Sequence, residues 1–234
     1  MLMVIDLIKA LGFPQDSGPI YKETIAGRFP VEPFNTFSNL IFLFIIIYFG
    51  IQVYKNIKNH LFLAWVLPVI GLSFVGGTIY HATRSHEIWL LLDWVPIMLL
   101  SLAAAIYFIY LWRDTWAQRI LLVVIILTSF FGLRMLPLPI GLTISLGYLI
   151  TALTILVPVL GYLYKSRWRN ARYIIIAFSI FGLAVFFRIL DKRLDIELFW
   201  MGTHWLWHFF GGLAVFFLIK YIFEDNKAQA INIS

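Results

Sequence analysis

The 234-residue chain contains no cysteine and few charged residues. Without cysteine, disulfide bonds, thiolate metal sites and a cysteine nucleophile are all excluded. Asp, Glu, Lys and Arg make up only 13% of the residues, against about 25% in a typical soluble domain. Hydrophobic residues instead reach 62%, and the mean hydropathy is +0.89. This composition predicts an all-α polytopic membrane protein.

Apolar runs of about 20 residues, the length that an α-helix needs to cross a bilayer, recur along the chain. They predict a seven-transmembrane helix bundle at residues 34–223, after an extramembrane or interfacial segment at residues 1–33 and before a cytoplasmic tail at residues 224–234. The start of the N-terminal segment, Met1–Phe13, fits either an amphipathic interfacial helix or a frayed terminus. The seven runs are Phe34–Val53, Leu61–His81, Ile88–Leu111, Ile120–Leu136, Ile140–Tyr164, Tyr173–Leu190 and Phe199–Phe223.

Basic residues are concentrated on alternate loops, and such a bias sets the orientation of a membrane protein. They follow the first, third and fifth runs and lie at the end of the seventh or after it, at Lys55, Lys58, Arg113, Arg119, Lys165, Arg167, Arg169, Arg172, Lys220 and Lys227. We therefore expect these loops in the cytoplasm and the N-terminus outside. As a separate expectation, the membrane is a bacterial inner membrane. Because topology accounts for the net charge of +6, no basic patch remains for a nucleic-acid partner.

Few ionisable residues fall inside the predicted spans, where a charge costs roughly 2.5–3.5 kcal/mol and marks a candidate functional position. His81 ends the second span, Asp93 lies near the start of the third, and His204 and His208 lie near the start of the seventh. Successive spans alternate in direction, so all four side chains are expected in the outer half of the bundle.

The histidines have the spacing of a metal site. His204 and His208 are four residues apart and so project from one helical face. His81 would complete a set of three imidazoles with the fourth tetrahedral position left to water, as in catalytic zinc sites. Asp93 would then orient or deprotonate that water. The alternative is that the histidines form hydrogen bonds between helices, which is the commoner role of a lone membrane histidine.

Four motifs occur in order along the chain: EPFNTFSNL (Glu32–Leu40), YHAT (Tyr80–Thr83), LLDWVPIML (Leu91–Leu99) and HWLWH (His204–His208). Together they resemble those of the alkaline ceramidases, which belong to the CREST superfamily of seven-helix membrane hydrolases. The resemblance implies a zinc ion held by His81, His204 and His208, and an aspartate at Asp93. It further implies hydrolysis of the amide bond of ceramide, or of a related N-acyl lipid, to a free amine lipid and a fatty acid.

The chain departs from this family at a catalytic position. The family has a serine four residues before the first zinc histidine, and here that position is Gly77. Thr78 or Ser73 could supply the missing hydroxyl, with Thr78 the nearer to His81 in sequence. The competing interpretation is a loss of activity or a different substrate.

A second departure concerns calcium, which the family binds through an N-terminal cluster of oxygen ligands. Glu23 and Glu32 match two acidic positions of that cluster and are the candidate calcium ligands. Ile20 and Ile25 stand where the family has an aspartate and an asparagine, although Asp16 and Ser17 could substitute from the preceding turn. The alternative is a solvated acidic segment.

The resulting hypothesis is a zinc-dependent amide hydrolase that acts on a lipid of the membrane. Zinc would activate water, and Asp93 would take its proton and pass it to the leaving amine. The rival from another class is a non-catalytic receptor or ion-coupled transporter of the same architecture, in which the polar cluster binds a ligand or proton without turnover.

Overall fold

The computed structural model describes residues 12–132, 135, 140–193 and 200–231, without the side chains of residues 130, 140–149, 151, 192 and 193. These residues form helices joined by turns and bends, and no strand occurs among them. The predicted all-α class is confirmed. The segment Met1–Phe13, for which an interfacial helix is one interpretation, lies almost entirely outside the described residues.

Every predicted span corresponds to a helix in the described part of the chain. The first span is divided at Asn39 into α1 and α2, and a 3₁₀ helix at Tyr54–Asn59 follows it. The helices are α1 Pro33–Ser38, α2 Leu40–Val53, α3 Leu61–Thr83, α4 Glu87–Trp112, α5 Trp116–Gly132, α6 Ile140–Lys165, α7 Ala171–Arg193 and α8 His204–Ile231.

Five stretches are long and apolar enough to cross a membrane, and two shorter helical stretches are also apolar. The five are Pro33–Asn59, Leu61–Thr83, Glu87–Trp112, Ala171–Asp191 and His204–Ala230, and the two are Trp116–Ser129 and Ala152–Lys165. Large apolar side chains stand exposed along them: Phe44, Ile47 and Ile51 are 52%, 54% and 59% exposed. Water around such surfaces is unfavourable by about 25 cal/mol per Å². The chain is therefore an integral membrane protein.

The last helix is longer than the sequence analysis predicts. It continues from the expected end at Phe223 to Ile231, so most of the predicted tail is helical. Side-chain pairs one turn apart stabilise this polar extension, namely Lys220 with Glu224 at 2.7 Å and Gln229 with Asp225 at 2.8 Å.

The end of α3 is bound to the segment that precedes α1. Arg84 closes the helix in the left-handed conformation, with φ 51° and its N–H bonded to the Tyr80 carbonyl. The backbone N–H groups of Val31 and Glu32 donate to the Ala82 and His81 carbonyls at 2.9 and 3.0 Å. Residues before α1 are thereby held against the last turn of α3.

The start of α8 is tied in the same way to the end of α7. The Thr203 N–H donates to Asp191 Oδ1 at 2.8 Å, and the Thr203 hydroxyl donates to the Phe187 carbonyl at 2.9 Å. Gly202, with φ 72°, precedes this contact, and a Cβ there would stand 2.8 Å from Asp191 Oδ1. Glycine is thus required both for the backbone angle and for the space.

The described residues form two compact units, residues 12–97 with 172–231, and residues 98–171. All the candidate site residues lie in the first unit. Its helices approach closely at small residues, since a Cβ at Gly76 would overlap Leu92 of α4 and one at Gly212 would overlap Ile41 of α2. This close packing brings the end of α3 together with the first turns of α4 and α8.

Candidate metal centre

Three histidines of the first unit lie together. One side-chain nitrogen from each of His81, His204 and His208 lies within 4.8 Å of the other two, and all three residues are buried. Their ring centroids are 4.6 to 5.5 Å apart. A tetrahedral zinc ion with Zn–N bonds of about 2.0–2.1 Å would space its ligand nitrogens about 3.3 Å apart. The set is within small side-chain movements of that geometry.

The Glu32 carboxylate contacts His81 on the ring nitrogen opposite the one that could bind a metal. His81 Nδ1 lies 2.5 Å from Glu32 Oε2, and both side chains are fully buried. Its Nε2 is also buried and has no hydrogen-bond partner among the described residues. A carboxylate on the far nitrogen holds the proton there, so Nε2 offers a lone pair. An unpartnered buried nitrogen beside two other imidazoles fits a metal ion.

Glu32 is itself held by several donors. Its Oε1 accepts from the Thr24 hydroxyl at 2.6 Å and from the Arg84 guanidinium at 2.7 Å. Burial by itself would raise the pKa of Glu32, but the hydrogen bond from His81 and the charge of Arg84 hold that pKa below its ordinary value. Glu32 is therefore an ionised carboxylate that can accept from His81 Nδ1–H.

His204 and His208 face each other with their Nε2 atoms 3.0 Å apart. On its other side, His204 Nδ1 lies 2.6 Å from Arg188 Nη1. A guanidinium can only donate, so Nδ1 accepts and the proton of His204 stands on Nε2. To give Nε2 to a metal ion, His204 must carry that proton on Nδ1, and the contact with Arg188 must open. The residues fit zinc on this condition.

Two further residues near the histidines are absent from the sequence-based site. Arg188 lies inside the predicted sixth span, so the rule that singles out ionisable span residues should have found it. Tyr21 stacks on the His204 ring at 4.0 Å between centroids, and the Arg188 guanidinium lies 5.8 Å from the Tyr21 ring. Nothing in the sequence around Tyr21 indicates this contact, which depends on the fold of the N-terminal segment.

Asp93 occupies the space left by the missing serine side chain. A Cβ at Gly77 would overlap Asp93 Oδ1 and lie 3.1 Å from Asn39 Oδ1. Asp93 is partly buried, and its carboxylate lies within electrostatic range of His81 and Arg188. Glycine at position 77 therefore lets the Asp93 carboxylate approach α3, where a serine would displace it.

The two candidate hydroxyls have different surroundings. The Ser73 hydroxyl donates to the Asp93 backbone carbonyl at 2.7 Å and so joins α3 to α4. The Thr78 hydroxyl is buried and has no partner among the described residues. Of the two, Thr78 has the hydroxyl that is available to a ligand.

The acidic residues near the N-terminus already have donors. Glu23 accepts from the backbone N–H groups of Phe34 and Asn35 at 2.8 and 2.7 Å, and burial raises its pKa. Ser17 donates through its N–H and its hydroxyl to Glu87, both at 2.7 Å. The Asp16 carboxylate accepts from Arg84. Each of these candidate calcium ligands is thus engaged in hydrogen bonds within the chain, and the calcium site stays a prediction.

Comparison of the chain with protein-family models and with curated proteins finds no match to either. Its function must therefore be inferred from the histidine cluster and from the motifs in its sequence.

Proposed function

We propose that the protein is a zinc-dependent intramembrane hydrolase that cleaves the amide bond of ceramide or a related N-acyl lipid. The products would be a free amine lipid and a fatty acid. The observation that carries the proposal is the buried, unpartnered Nε2 of His81 beside His204 and His208, with Glu32 fixing the opposite nitrogen of His81.

A zinc ion held by the three histidines would supply Lewis acidity, which polarises a carbonyl oxygen and makes water acidic enough to attack near neutral pH. Glu32 keeps the His81 imidazole in the tautomer that can bind a metal. Asp93 accepts the proton of the attacking water and returns a proton to the departing amine nitrogen. The Thr78 hydroxyl donates to the carbonyl oxygen as negative charge develops there.

A lipid could reach these groups from the side. Asp93 lies on α4 between Leu91 and Trp94, which are 38% and 46% exposed. Exposed apolar side chains on a span face hydrocarbon, so the acyl chains of a substrate could lie along α4 with the amide near Asp93. This arrangement supports a membrane lipid as the substrate rather than a soluble metabolite.

Turnover is the decisive test. Purified protein with full zinc should release fatty acid from N-acyl lipids in mass spectrometry, and Asp93→Asn should lower kcat about 10²–10⁴-fold while it keeps its zinc. If the zinc-loaded protein hydrolyses no N-acyl lipid, the hydrolase proposal fails and the receptor or ion-coupled transporter gains support.

The proposal includes an outside N-terminus, a cytoplasmic C-terminus and a bacterial inner membrane, which place the histidine site in the outer half of the membrane. A cysteine introduced at Ser166, in the turn after α6, should then resist an impermeant thiol reagent in intact cells. Since the chain has no cysteine of its own, labelling would report on this position alone. Rapid labelling in intact cells would contradict the proposed orientation and would mean that the histidine site lies in the cytoplasmic half of the membrane.

A further inference from the structure

The Arg84 side chain fills a cage of oxygen atoms at the end of α3. Its guanidinium is fully buried, and its Nε and Nη2 donate to the two Asp16 carboxylate oxygens at 2.9 and 2.6 Å. The other hydrogen bonds run to Glu32 Oε1 at 2.7 Å, the Pro19 carbonyl at 2.9 Å and the Gly18 carbonyl at 3.2 Å. These contacts match the five N–H groups that a guanidinium carries.

The same set of acceptors would suit a hard divalent cation. Calcium in proteins is bound by carboxylates and backbone carbonyls, and the cage contains two of each, from Asp16, Glu32, Gly18 and Pro19. The positive charge that lies between the two carboxylates belongs to the chain itself. A divalent ion and the guanidinium could not occupy this space together.

We infer that Arg84 is a built-in cation, which takes the place of a calcium ion and holds Glu32 in position behind His81. The N-terminal segment then needs no divalent cation to dock on α3. That statement is independent of the hydrolase proposal. Only the second part, that Arg84 is a positioning residue for the metal ligand His81 through Glu32, rests on the proposed function.

The backbone at Arg84 offers a clean way to remove the guanidinium. Arg84 has φ 51°, a left-handed conformation that is less favourable for other residues than for glycine. Arg84→Gly therefore removes the charge without backbone strain and leaves both carboxylates in an empty cage. Arg167 also has a positive φ, 54°, but is exposed, so Arg167→Gly is a matched control for the backbone effect.

The test is thermal unfolding of the purified full chain at constant zinc, titrated with calcium or magnesium chloride. Arg84→Gly should lower Tm by on the order of 10 °C, and calcium should restore it saturably and better than magnesium. Wild type and Arg167→Gly should not respond to calcium. Saturable stabilisation of the wild type by calcium, or a variant that is neither destabilised nor calcium-responsive, would overturn the inference.

Two further measurements separate the possible failures. Arg84→Lys keeps a positive charge with fewer donors, so it should have a Tm below that of the wild type and show no calcium response. This variant also serves as the test if Arg84→Gly does not fold. In that case, a wild-type Tm for Arg84→Lys contradicts the inference. Zinc content should fall in Arg84→Gly and return with calcium. Absence of zinc from the wild type would remove the proposed hydrolase, but calcium rescue of Tm in Arg84→Gly would still establish the built-in cation.

Discussion

Two ion pairs of almost equal length have different surroundings. Arg84 Nη2 lies 2.6 Å from Asp16 in the first unit, and Lys165 Nζ lies 2.7 Å from Asp114 in the second. The side chains of the first pair are fully buried, whereas those of Lys165 and Asp114 are 41% and 84% exposed. Burial and shared partners, more than distance, decide what an ion pair contributes to stability.

The difference extends to what each pair is connected to. Asp16, Arg84, Glu32 and His81 form one continuous chain of hydrogen bonds that ends at the unpartnered Nε2 of His81. Lys165, the last residue of α6, contacts Asp114 in the exposed connection between α4 and α5. The hydrogen bond from Lys165 holds the pKa of Asp114 below its ordinary value. Only the buried network leads to a candidate functional group.

The largest effect is expected from removing the end point of the buried network. His204→Ala together with His208→Ala deletes two of three metal ligands, so elemental analysis should find no stoichiometric zinc and lipid turnover should be lost. His60→Ala is the control, since His60 is also buried but stacks on Phe223 at 4.4 Å, outside the cluster. Zinc that persists undiminished in the double variant would exclude the proposed centre.

Glu32→Gln should break the network in its middle. The amide oxygen can still accept from His81, but the amide nitrogen cannot accept from Arg84, which leaves a buried charge without one of its carboxylates. Breaking a buried pair costs about 3–5 kcal/mol, and loss of a partner behind a metal ligand weakens metal affinity about 10–100-fold. Chemical denaturation and zinc competition with a chelator measure the two effects. Wild-type values in both assays would show that Glu32 does not support His81.

Thr78→Val removes the unpartnered hydroxyl at nearly constant volume. If that hydroxyl stabilises a developing oxyanion, kcat should fall about 10²–10³-fold with zinc content unchanged. Ser73→Ala removes a hydroxyl that already donates to the Asp93 carbonyl, so it should affect stability more than turnover. A silent Thr78→Val with an inactive, folded Ser73→Ala would reverse this assignment.

The sequence predicts those features of the fold and the site that depend on the residues of a single span. Apolar run length predicts the helices, and the four-residue spacing of His204 and His208 predicts their shared face. The polar extension of α8 beyond Phe223 depends on side-chain pairs that a hydropathy pattern does not detect. The contacts of Glu32 with His81 and of Arg84 with Glu32 and Asp16 join residues 49 to 68 positions apart, so only the fold of the N-terminal segment reveals them.

A smaller effect is expected at Arg188, whose guanidinium favours the His204 tautomer that cannot bind zinc through Nε2. In Arg188→Gln, the amide oxygen could accept a hydrogen bond from His204 Nδ1–H. This stabilises the tautomer that binds zinc through Nε2, so zinc should be retained at higher chelator concentrations than in the wild type. Arg188→Lys, which can still donate to Nδ1, is the matched control. Weaker zinc retention in the glutamine variant alone would contradict the tautomer argument.

The smallest effect is expected at the exposed pair. Asp114→Asn should leave Tm, zinc content and turnover at wild-type values, because solvent and salt already screen Lys165 from Asp114. Thermal unfolding of Asp114→Asn and of Glu32→Gln under the same conditions compares the exposed pair with the buried network directly. A destabilisation as large as that of Glu32→Gln would mean that burial is not what distinguishes the two pairs.

The stacking of Tyr21 on His204 and the contact of Glu32 with His81 both reach the candidate centre from the segment before the first span. If the proposed centre binds an ion, docking of that segment and occupancy of the centre are coupled equilibria, and the coupling is reciprocal. Whatever factor docking adds to the affinity for an ion, the ion adds to the stability of the docked segment. A molecule that competes for the segment at the membrane surface would therefore lower occupancy without touching any ligand.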